Sequence, residues 1–363
     1  MTTKRVLVTG ADGFIGRNLC VALAERGHEV LEFVRGDDIG SISDIDFCFH
    51  AAGVNRPKDE RAFIDGNSLL TSQLCDHLAS LPQPIPLLVT SSMQATLDNP
   101  YGQSKLAGEE VVRNYGNSTG RTTYIWRLPG VFGKWSRPDY NSVVATFCVK
   151  TLTNQELLIR DPNHTLKLTY IDDVITSMID VLESATPGEA EYPVYEISLG
   201  DLAKKIRAFK ESRSSGFIDS VGTGLERALY ATYLSFMDPD EFSYPLIVNG
   251  DERGNFVEIL KTSDSGQFSY FTAHPGVTRG GHYHHTKNEK FLVVSGIARF
   301  GFRHIVTDEY CELFVTGEVP QVVETVPGWA HDITNTGDVP LVVLLWANET
   351  FDQNRPDTTY HRV

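Results

Sequence analysis

Residues 276–296 read GVTRGGHYHHTKNEKFLVVSG, a run that crowds His282, His284, His285 and Glu289 between glycines and then turns apolar. Successive side chains of a strand point to opposite faces, so His282 and His284 share one face while Tyr283 and His285 share the other. Two imidazoles on one face, followed across a turn by a carboxylate, are nitrogen and oxygen donors of the kind a divalent metal ion takes. A solvated turn that merely contains histidines is the plainer alternative, because short ligand patterns also arise by chance.

A second set of chemical groups lies far upstream. Tyr101 and Lys105 follow Pro100, which suits a helix start, and stand one turn apart on one helix face. A phenol keeps its proton to about pH 10. A neighbouring ammonium favours the phenolate and makes the phenol a usable acid near neutrality. Ser92, the second of the pair Ser91-Ser92, stands where it can donate a hydrogen bond to a carbonyl. Helix surfaces often carry such a Tyr and Lys without function, so their meaning depends on what precedes them.

What precedes them is a strand, Arg5-Val6-Leu7-Val8-Thr9, running into Gly10-x-x-Gly13-x-x-Gly16. A helical pattern follows at Ile15, Leu19, Ala22 and Leu23, and then a second strand over 29–34. Strand, glycine turn, helix and strand form the context of a dinucleotide fingerprint, in which amides at a helix N-terminus meet a pyrophosphate. Gly10, Gly13, Phe14, Ile15 and Gly16 are the expected contacts there, with Ala51, Ala52 and Gly53 beyond the next strand and Lys105 at the ribose. Arg35 at the end of the second strand suits the 2′-phosphate of NADP, while Asp37 and Asp38 beside it leave NAD open. The stretch from that strand to Gly53 is too short for a full crossover helix. A helix over 67–78 and a buried strand over 87–90, ending in Ser91-Ser92, continue the alternation.

Helices are expected over 172–185, 199–209 and 224–236. Near Asp238-Pro239-Asp240 helical periodicity ends, and short strands over 256–261, 267–273, 291–294, 298–302, 322–326 and 341–346 point to an all-β sandwich or barrel. Two domains are expected, 1–243 and 244–363. The net charge of -15 argues against nucleic acid or an anionic membrane surface as partner. The first residues hold no apolar stretch of signal-peptide type, and no apolar run is long enough to cross a bilayer. Five dispersed cysteines with no CxxC pair read as free thiols in a reducing cytoplasm.

The first two-thirds resemble the extended short-chain dehydrogenase/reductases that act on nucleotide sugars. The resemblance rests on Gly10-x-x-Gly13-x-x-Gly16, His50-Ala51-Ala52-Gly53, Asn67, Ser91-Ser92, Tyr101 with Lys105, Arg127-Leu128-Pro129-Gly130-Val131-Phe132-Gly133 and Leu168-Thr169-Tyr170-Ile171-Asp172-Asp173-Val174. It implies a Rossmann-type doubly wound parallel sheet, with Tyr101 as general acid, Lys105 as its pKa tuner and Ser92 as carbonyl donor. The adjacent Ser91 is the alternative, and the resemblance favours Ser92 because it aligns with the family's last serine. Arg137 and Lys134 are candidate cations for a substrate phosphate, with ordinary surface charge as the alternative.

The last third resembles the cupin barrels. Gly276, His282-x-His284, Glu289 and Gly296 fit their first motif by spacing, and Pro327-Gly328-Trp329-Ala330-His331 with Asn335 resembles the second. The resemblance implies His282, Glu289 and His331 as ligands, with His284 next, around zinc or another divalent ion. That ion would be structural or catalytic. Tyr283 and His285 point away from this face. The chain as a whole resembles bifunctional capsular polysaccharide enzymes, an order of parts that includes Asp251-Glu252-Arg253-Gly254 at the barrel entrance. In these a UDP-2-acetamido-2,6-dideoxy-hexos-4-ulose is epimerised at C3 by the barrel and then reduced at C4 with NADPH, on the way to N-acetyl-L-fucosamine. A UDP-sugar substrate, a cytoplasmic setting and a homodimer go with this reading. The alternatives are a dTDP-4-keto-6-deoxy-sugar 3,5-epimerase and 4-reductase, and a sensor that binds NADP and a ligand without chemistry.

Overall fold

Val6, Leu7 and Val8 are fully buried because β1 (Arg5–Thr9) runs through the middle of a parallel sheet, where both faces are covered. The computed structural model describes residues 2–57, 59–83, 85–184, 191–354 and 356–363. The chain divides into two compact units, Met1–Ile206 with Ala228–Met237, and Arg207–Arg227 with Asp238–Val363.

In the first unit β1 is joined through α1 (Phe14–Glu25) to β2 (Glu29–Phe33), and β3 (Phe47–His50) lies on the other side of β1. Only a single 3-10 turn, Ile39–Ser41, occurs between β2 and β3, which is the shortened crossover expected from the sequence. A helical stretch follows, made of α2 (Arg61–Phe63), a π-helical segment Ile64–Leu69 and α3 (Leu70–Ser80). The helix expected over 67–78 therefore begins inside a wider π turn. There Asn67 is buried and hydrogen-bonded at both ends of its amide to Val54 across the turn, at 2.9 Å each way. Next come β4 (Leu87–Ser92), α4 (Pro100–Thr119) and β5 (Thr123–Leu128), giving the order β2-β1-β3-β4-β5. Asn99 caps α4 by accepting from Gly102 N–H at 2.8 Å, and Gly120 ends it in the left-handed region. Leu74 and Leu78 of α3 and Val112 and Tyr115 of α4 close one face of the sheet in a single apolar cluster with Leu7 and Leu87.

The rest of this unit is a small sheet of β6 (Gly130–Phe132), β7 (Thr165–Tyr170) and β8 (Tyr195–Ser198), with α5 (Val143–Leu152) and α6 (Ile171–Glu183). The helix expected to reach Ala185 is described to Glu183; Ala185 lies outside the described residues. α7 (Leu199–Ser215) runs farther than the expected 209 and stops at Gly216, whose φ of 70° is the left-handed conformation that ends helices. α8 (Gly224–Leu234) follows. Among the described residues no helix is long and apolar enough to cross a membrane.

The second unit is all-β apart from the helical turns at its start. Its strands are β9 (Val248–Asp251), β10 (Gly254–Lys261), β11 (Gln267–Ala273), β12 (Thr278–Tyr283), β13 (Glu289–Ser295), β14 (Ile297–His304), β15 (Tyr310–Thr316), β16 (Val322–Glu324), β17 (Trp329–Asn335), β18 (Leu341–Ala347) and β19 (Thr359–Tyr360). They form two antiparallel sheets, β16-β13-β18-β11-β10-β9 and β15-β14-β17-β12-β19. Inward side chains from both, among them Phe271, Phe291, Phe300 and Ile333, make one core. This is the doubly wound parallel sheet followed by a cupin-like barrel that the sequence led us to expect. The strand expected over 322–326 ends at Glu324, close ahead of Pro327, which disfavours continued pairing.

One polar cluster fixes α4 to the parallel sheet. Ser91 on β4 and Arg127 on β5 are directly paired in register, and Glu109 of α4 lies over both. Its carboxylate accepts from Ser91 Oγ at 2.6 Å, from Arg127 Nε at 2.8 Å and Nη2 at 2.7 Å, and from Arg113 Nη2 at 2.7 Å. Burial would raise the Glu109 pKa, but the hydrogen bonds from Arg127, Ser91 and Arg113 outweigh it and bring it down to about 2. Glu109→Gln should therefore destabilise the protein by about 2 kcal/mol, less than for a fully buried pair because both arginines reach water. Calorimetric unfolding checks this. A depressed carboxyl pKa contributes stability above the unfolded value, so the difference from wild type should shrink as pH falls from about 4.5 toward 2.

Candidate functional site

The glycine turn after β1 is shaped for close approach. Gly10 has φ +67°, its N–H donates to the Phe33 carbonyl at 2.8 Å, and a Cβ there would stand 2.8 Å from the Ala52 backbone. A Cβ on Gly16 would overlap the Gly10 carbonyl. Gly13 is the N-cap of α1 and offers no side-chain cap, so the first-turn amides, including those of Phe14 and Ile15, have no capping side chain in front of them. That leaves the positive end of the helix open to an anion. Arg35 is exposed just beyond β2. Asp37 accepts from Val34 N–H at 2.7 Å and Asp38 from Gly40 N–H at 2.9 Å, so each nearby acid already holds local backbone.

Beyond β3, Ala51 N–H donates to the Thr9 carbonyl at 3.2 Å and Ala52 N–H to Thr9 Oγ1 at 3.3 Å. A Cβ on Gly53 would stand 2.8 Å from Asn67 Oδ1 and 3.3 Å from the Lys105 ammonium. Lys105 therefore arrives at the glycine-lined floor, where its Nζ donates to the Thr90 carbonyl at 2.9 Å. Burial pulls its pKa down to about 8, against the pull of Glu109 in the other direction. His50 is enclosed between Thr9 Oγ1 at 2.6 Å and Thr71 Oγ1 at 2.9 Å; burial, then Lys105, lowers its pKa to about 3 and keeps it neutral.

Tyr101 sits one turn before Lys105, its ring 5.7 Å from that of Phe63. Burial raises the phenol's pKa, partly offset by a hydrogen bond with Ser92. The two serines that end β4 thus have different partners: Ser91 is tied to Glu109, while Ser92 Oγ accepts from Gln94 N–H at 3.2 Å and lies near the Tyr101 phenol. Lys134 forms an ion pair with Asp172, and Arg137 lies 5.0 Å over the Tyr140 ring, so both phosphate candidates have partners of their own.

In the barrel, His282, His284, Glu289 and His331 come together, with one donor atom from each lying within 4.8 Å of the others. β12 and β17 place His282 opposite His331, and β13 brings Glu289 from the other sheet. Glu289 Oε2 is 3.2 Å from His284 Nε2 and 3.4 Å from His331 Nε2, and Lys287 Nζ is 3.3 Å from Oε1. Although burial would raise it, the Glu289 carboxyl is held far below the usual range by His284, His331 and Lys287. His282 is lowered to about 4 by burial and then by His331 and His284.

The donor chemistry fits a divalent ion. His284 Nδ1 bonds the Asp357 carbonyl, which can only accept, so this nitrogen carries a proton, and Nε2, 3.2 Å from Glu289 Oε2, would present its lone pair to a bound ion. The buried His331 Nδ1 has no hydrogen-bond partner. The Asp357 carboxylate accepts from the amides of His285, Thr286 and Lys287 at 2.7–2.9 Å and so fixes the loop that carries His284. Tyr283 and His285 meet edge to face with ring centres 5.3 Å apart, and His285 is exposed. Asn335 is buried and donates to the Ala273 and Val339 carbonyls, a turn-holding role. Beside the cluster lies a cavity of about 370 Å³, lined by Phe256, Phe271, Phe302, Arg279, Glu289 and His331 among others. Its size is that of a small-molecule site.

Two residues of consequence escaped the sequence reading. Glu109 stands one turn past Lys105, a spacing that continues the Tyr101 face and gave a signal. Arg279 was hidden because strict alternation places it on the face opposite His282.

Comparison with known proteins agrees with these geometries. Residues 6–197 match the model of the NAD dependent epimerase/dehydratase family, and residues 249–359 match the polysaccharide biosynthesis C-terminal domain. A Pseudomonas aeruginosa protein named UDP-2-acetamido-2,6-beta-L-arabino-hexul-4-ose reductase is 53% identical over 98% of this chain and 97% of its own length. The crystal structure of the capsular polysaccharide assembling protein CapF from Staphylococcus aureus superposes with a TM-score of 0.89 at 41% identity, covering 99% of this chain and all of that one. The Bordetella bronchiseptica enzyme WbmF, solved with NAD+ and UDP, shares the fold over 64% of this chain and 92% of its own, with a TM-score of 0.55 at 20% identity. The resemblance read from the motifs is borne out: this chain belongs to the NAD dependent epimerase/dehydratase family and carries a polysaccharide biosynthesis C-terminal domain behind the residues that match it.

Proposed function

We propose that the chain is a bifunctional nucleotide-sugar enzyme, in which the barrel epimerises C3 of a UDP-2-acetamido-2,6-dideoxy-4-keto-hexose and the parallel-sheet unit reduces the C4 ketone with NADPH. The observation that carries the reductase half is the placement of Tyr101 one turn from the buried Lys105 ammonium, whose Nζ stands over the glycine floor, with Ser92 at the end of β4 close enough to act on the phenol. The name of the 53% identical relative supports the UDP-sugar and its 4-ketone. Arg35, together with the local engagement of Asp37 and Asp38, supports NADPH over NADH.

NADPH held by the amides of Phe14 and Ile15 and by Gly10, Ala51, Ala52 and Gly53 would supply the hydride. Ser92 and Tyr101 donate hydrogen bonds to the ketone oxygen, the Tyr101 proton passes to that oxygen as C4 becomes a carbinol, and Lys105 steadies the phenolate left behind. Epimerisation uses the acidity of the carbon beside the ketone. A carboxylate of the cavity wall takes the C3 proton, the C3–H pair becomes a C3=C4 bond and the carbonyl pair moves onto oxygen. The carbonyl then re-forms as C3 takes a proton from an acid or water on the other side, which inverts C3. A divalent ion, zinc by its donors, would be held by His282, His284, Glu289 and His331 and would act as a Lewis acid or tie β12, β13 and β17 together. Glu289 balances that charge, and His284 is oriented for it by the Asp357 carbonyl.

Tyr101→Phe should slow NADPH oxidation with the 4-keto sugar by about 10²-fold or more in kcat; a rate close to wild type would remove Tyr101 from the mechanism. Lys105 carries its charge below a pKa of about 8 and loses it as pH rises through that value. The reductase kcat/KM should accordingly be flat near neutrality and decline above about pH 8, as a pH profile with saturating NADPH will show. Glu289→Ala should lose bound metal by atomic emission and stop solvent deuterium entering C3, while reduction of a pre-epimerised ketone continues. Assays of UDP- and dTDP-keto sugars side by side should favour the UDP substrate.

A further inference from the structure

The strand β12 contains a one-residue bulge that changes which side chains enter the barrel. Arg279 pairs with Ile333 and Gly280 with Asp332, but His282 pairs with His331, leaving Gly281 as the extra residue. Ile333 and His331 both point inward, so the bulge puts Arg279 and His282 on the same interior face, although they are an odd number of positions, three, apart. Gly280 and Gly281 adopt φ of 92° and 82°, and a Cβ on Gly280 would stand 2.8 Å from the His331 carbonyl. The glycine pair is what lets an arginine and a cluster histidine share one wall.

The guanidinium is held at one edge and free at another. Arg279 Nε donates to the Thr272 carbonyl at 3.0 Å, and the group lies 5.4 Å from the centre of the Phe271 ring. Its Nη2 is buried and makes no hydrogen bond; the nearest carboxylate oxygen, on Asp251, is 4.0 Å away. Asp251 is itself engaged by Arg253 through Nε and Nη2 at 2.5–3.2 Å. A buried donor without an acceptor costs about 1–3 kcal/mol. Arg279 also lines the cavity, whose walls are rich in phenylalanine.

We infer that Arg279 is the oxyanion clamp of the barrel, the cavity-facing edge of its guanidinium donating to a negatively charged oxygen of the sugar nucleotide. This rests on the proposed epimerase role of the barrel. Two oxygens have that chemistry. One is the C4 oxygen, which receives the electron pair when the C3 proton leaves to a carboxylate of the cavity wall, where Glu258 and Glu349 stand. The other is a diphosphate oxygen. A planar guanidinium in an apolar wall suits either one, because its field is little screened there.

The test uses the full-length metal-loaded enzyme without NADPH. The Arg279 Nε–H NMR resonance, assigned by its loss in Arg279→Met, should shift when the 4-keto sugar is added. A shift with inorganic pyrophosphate alone assigns the clamp to the diphosphate, and a shift with the keto sugar but not with pyrophosphate assigns it to the C4 oxygen. A resonance unmoved by the keto sugar overturns the inference, whether or not the wild type exchanges C3. Deuterium entry at C3 should fall by about 10²-fold in Arg279→Met, with partial recovery in Arg279→Lys and unchanged metal content and reduction of pre-epimerised ketone. The loss should be in kcat for the C4 oxygen, or in KM for the diphosphate. Wild-type kcat and KM in Arg279→Met would equally overturn it. Absence of exchange in the wild type would instead defeat the epimerase reading while leaving the resonance shift to judge Arg279.

Discussion

A charge taken out of water costs several kcal/mol unless hydrogen bonds or opposite charge meet it within a few ångströms. Both sites of this chain are arranged around such a group. In the first unit it is the Lys105 ammonium, met by the Thr90 carbonyl and supported by Glu109 one turn away. In the second it is the Glu289 carboxylate, met by His284, His331 and Lys287. The partners in turn are fixed by others. Arg127 and Ser91 fix Glu109, and Asp357 fixes the loop bearing His284. Removing a single member leaves charge exposed to an apolar surround, so each cluster holds or fails largely as a set.

Close backbone approach is the other shared device. Gly10 and Gly53 let the ends of β1 and β3 come against Ala52, Asn67 and Lys105. Gly280 lets β12 come against β17 at His331, and the bulge beside it sets which residues look inward. In each case the glycine serves a neighbouring functional side chain and has no chemistry of its own.

Much of this was legible in the sequence because local pattern and three-dimensional role coincide. The β1 strand and its glycine turn, the helix start at Pro100 before Tyr101, and the spacing of His282, His284 and Glu289 each report local geometry. The cluster's fourth member, His331, came from a resemblance, since strand pairing across the barrel leaves no mark in local spacing. Ser92 was favoured over Ser91 by the resemblance, and the physical reason to set Ser91 apart, its bond to Glu109 on α4, leaves no mark in local spacing. Arg279 was illegible for a physical reason: period-two reasoning fails at a bulge, and only the glycine pair hinted at one.

The account assigns carbon acid chemistry to the barrel and hydride transfer to the parallel-sheet unit, so the first must proceed without the reduced cofactor. The direct measurement is proton NMR of the UDP-4-keto sugar in D2O with the full-length protein and no NADPH. The account predicts loss of the C3 proton signal with the C4 ketone intact, followed by reduction once NADPH is added. Retention of the C3 proton through many enzyme equivalents, with reduction still occurring on addition of NADPH, would contradict it.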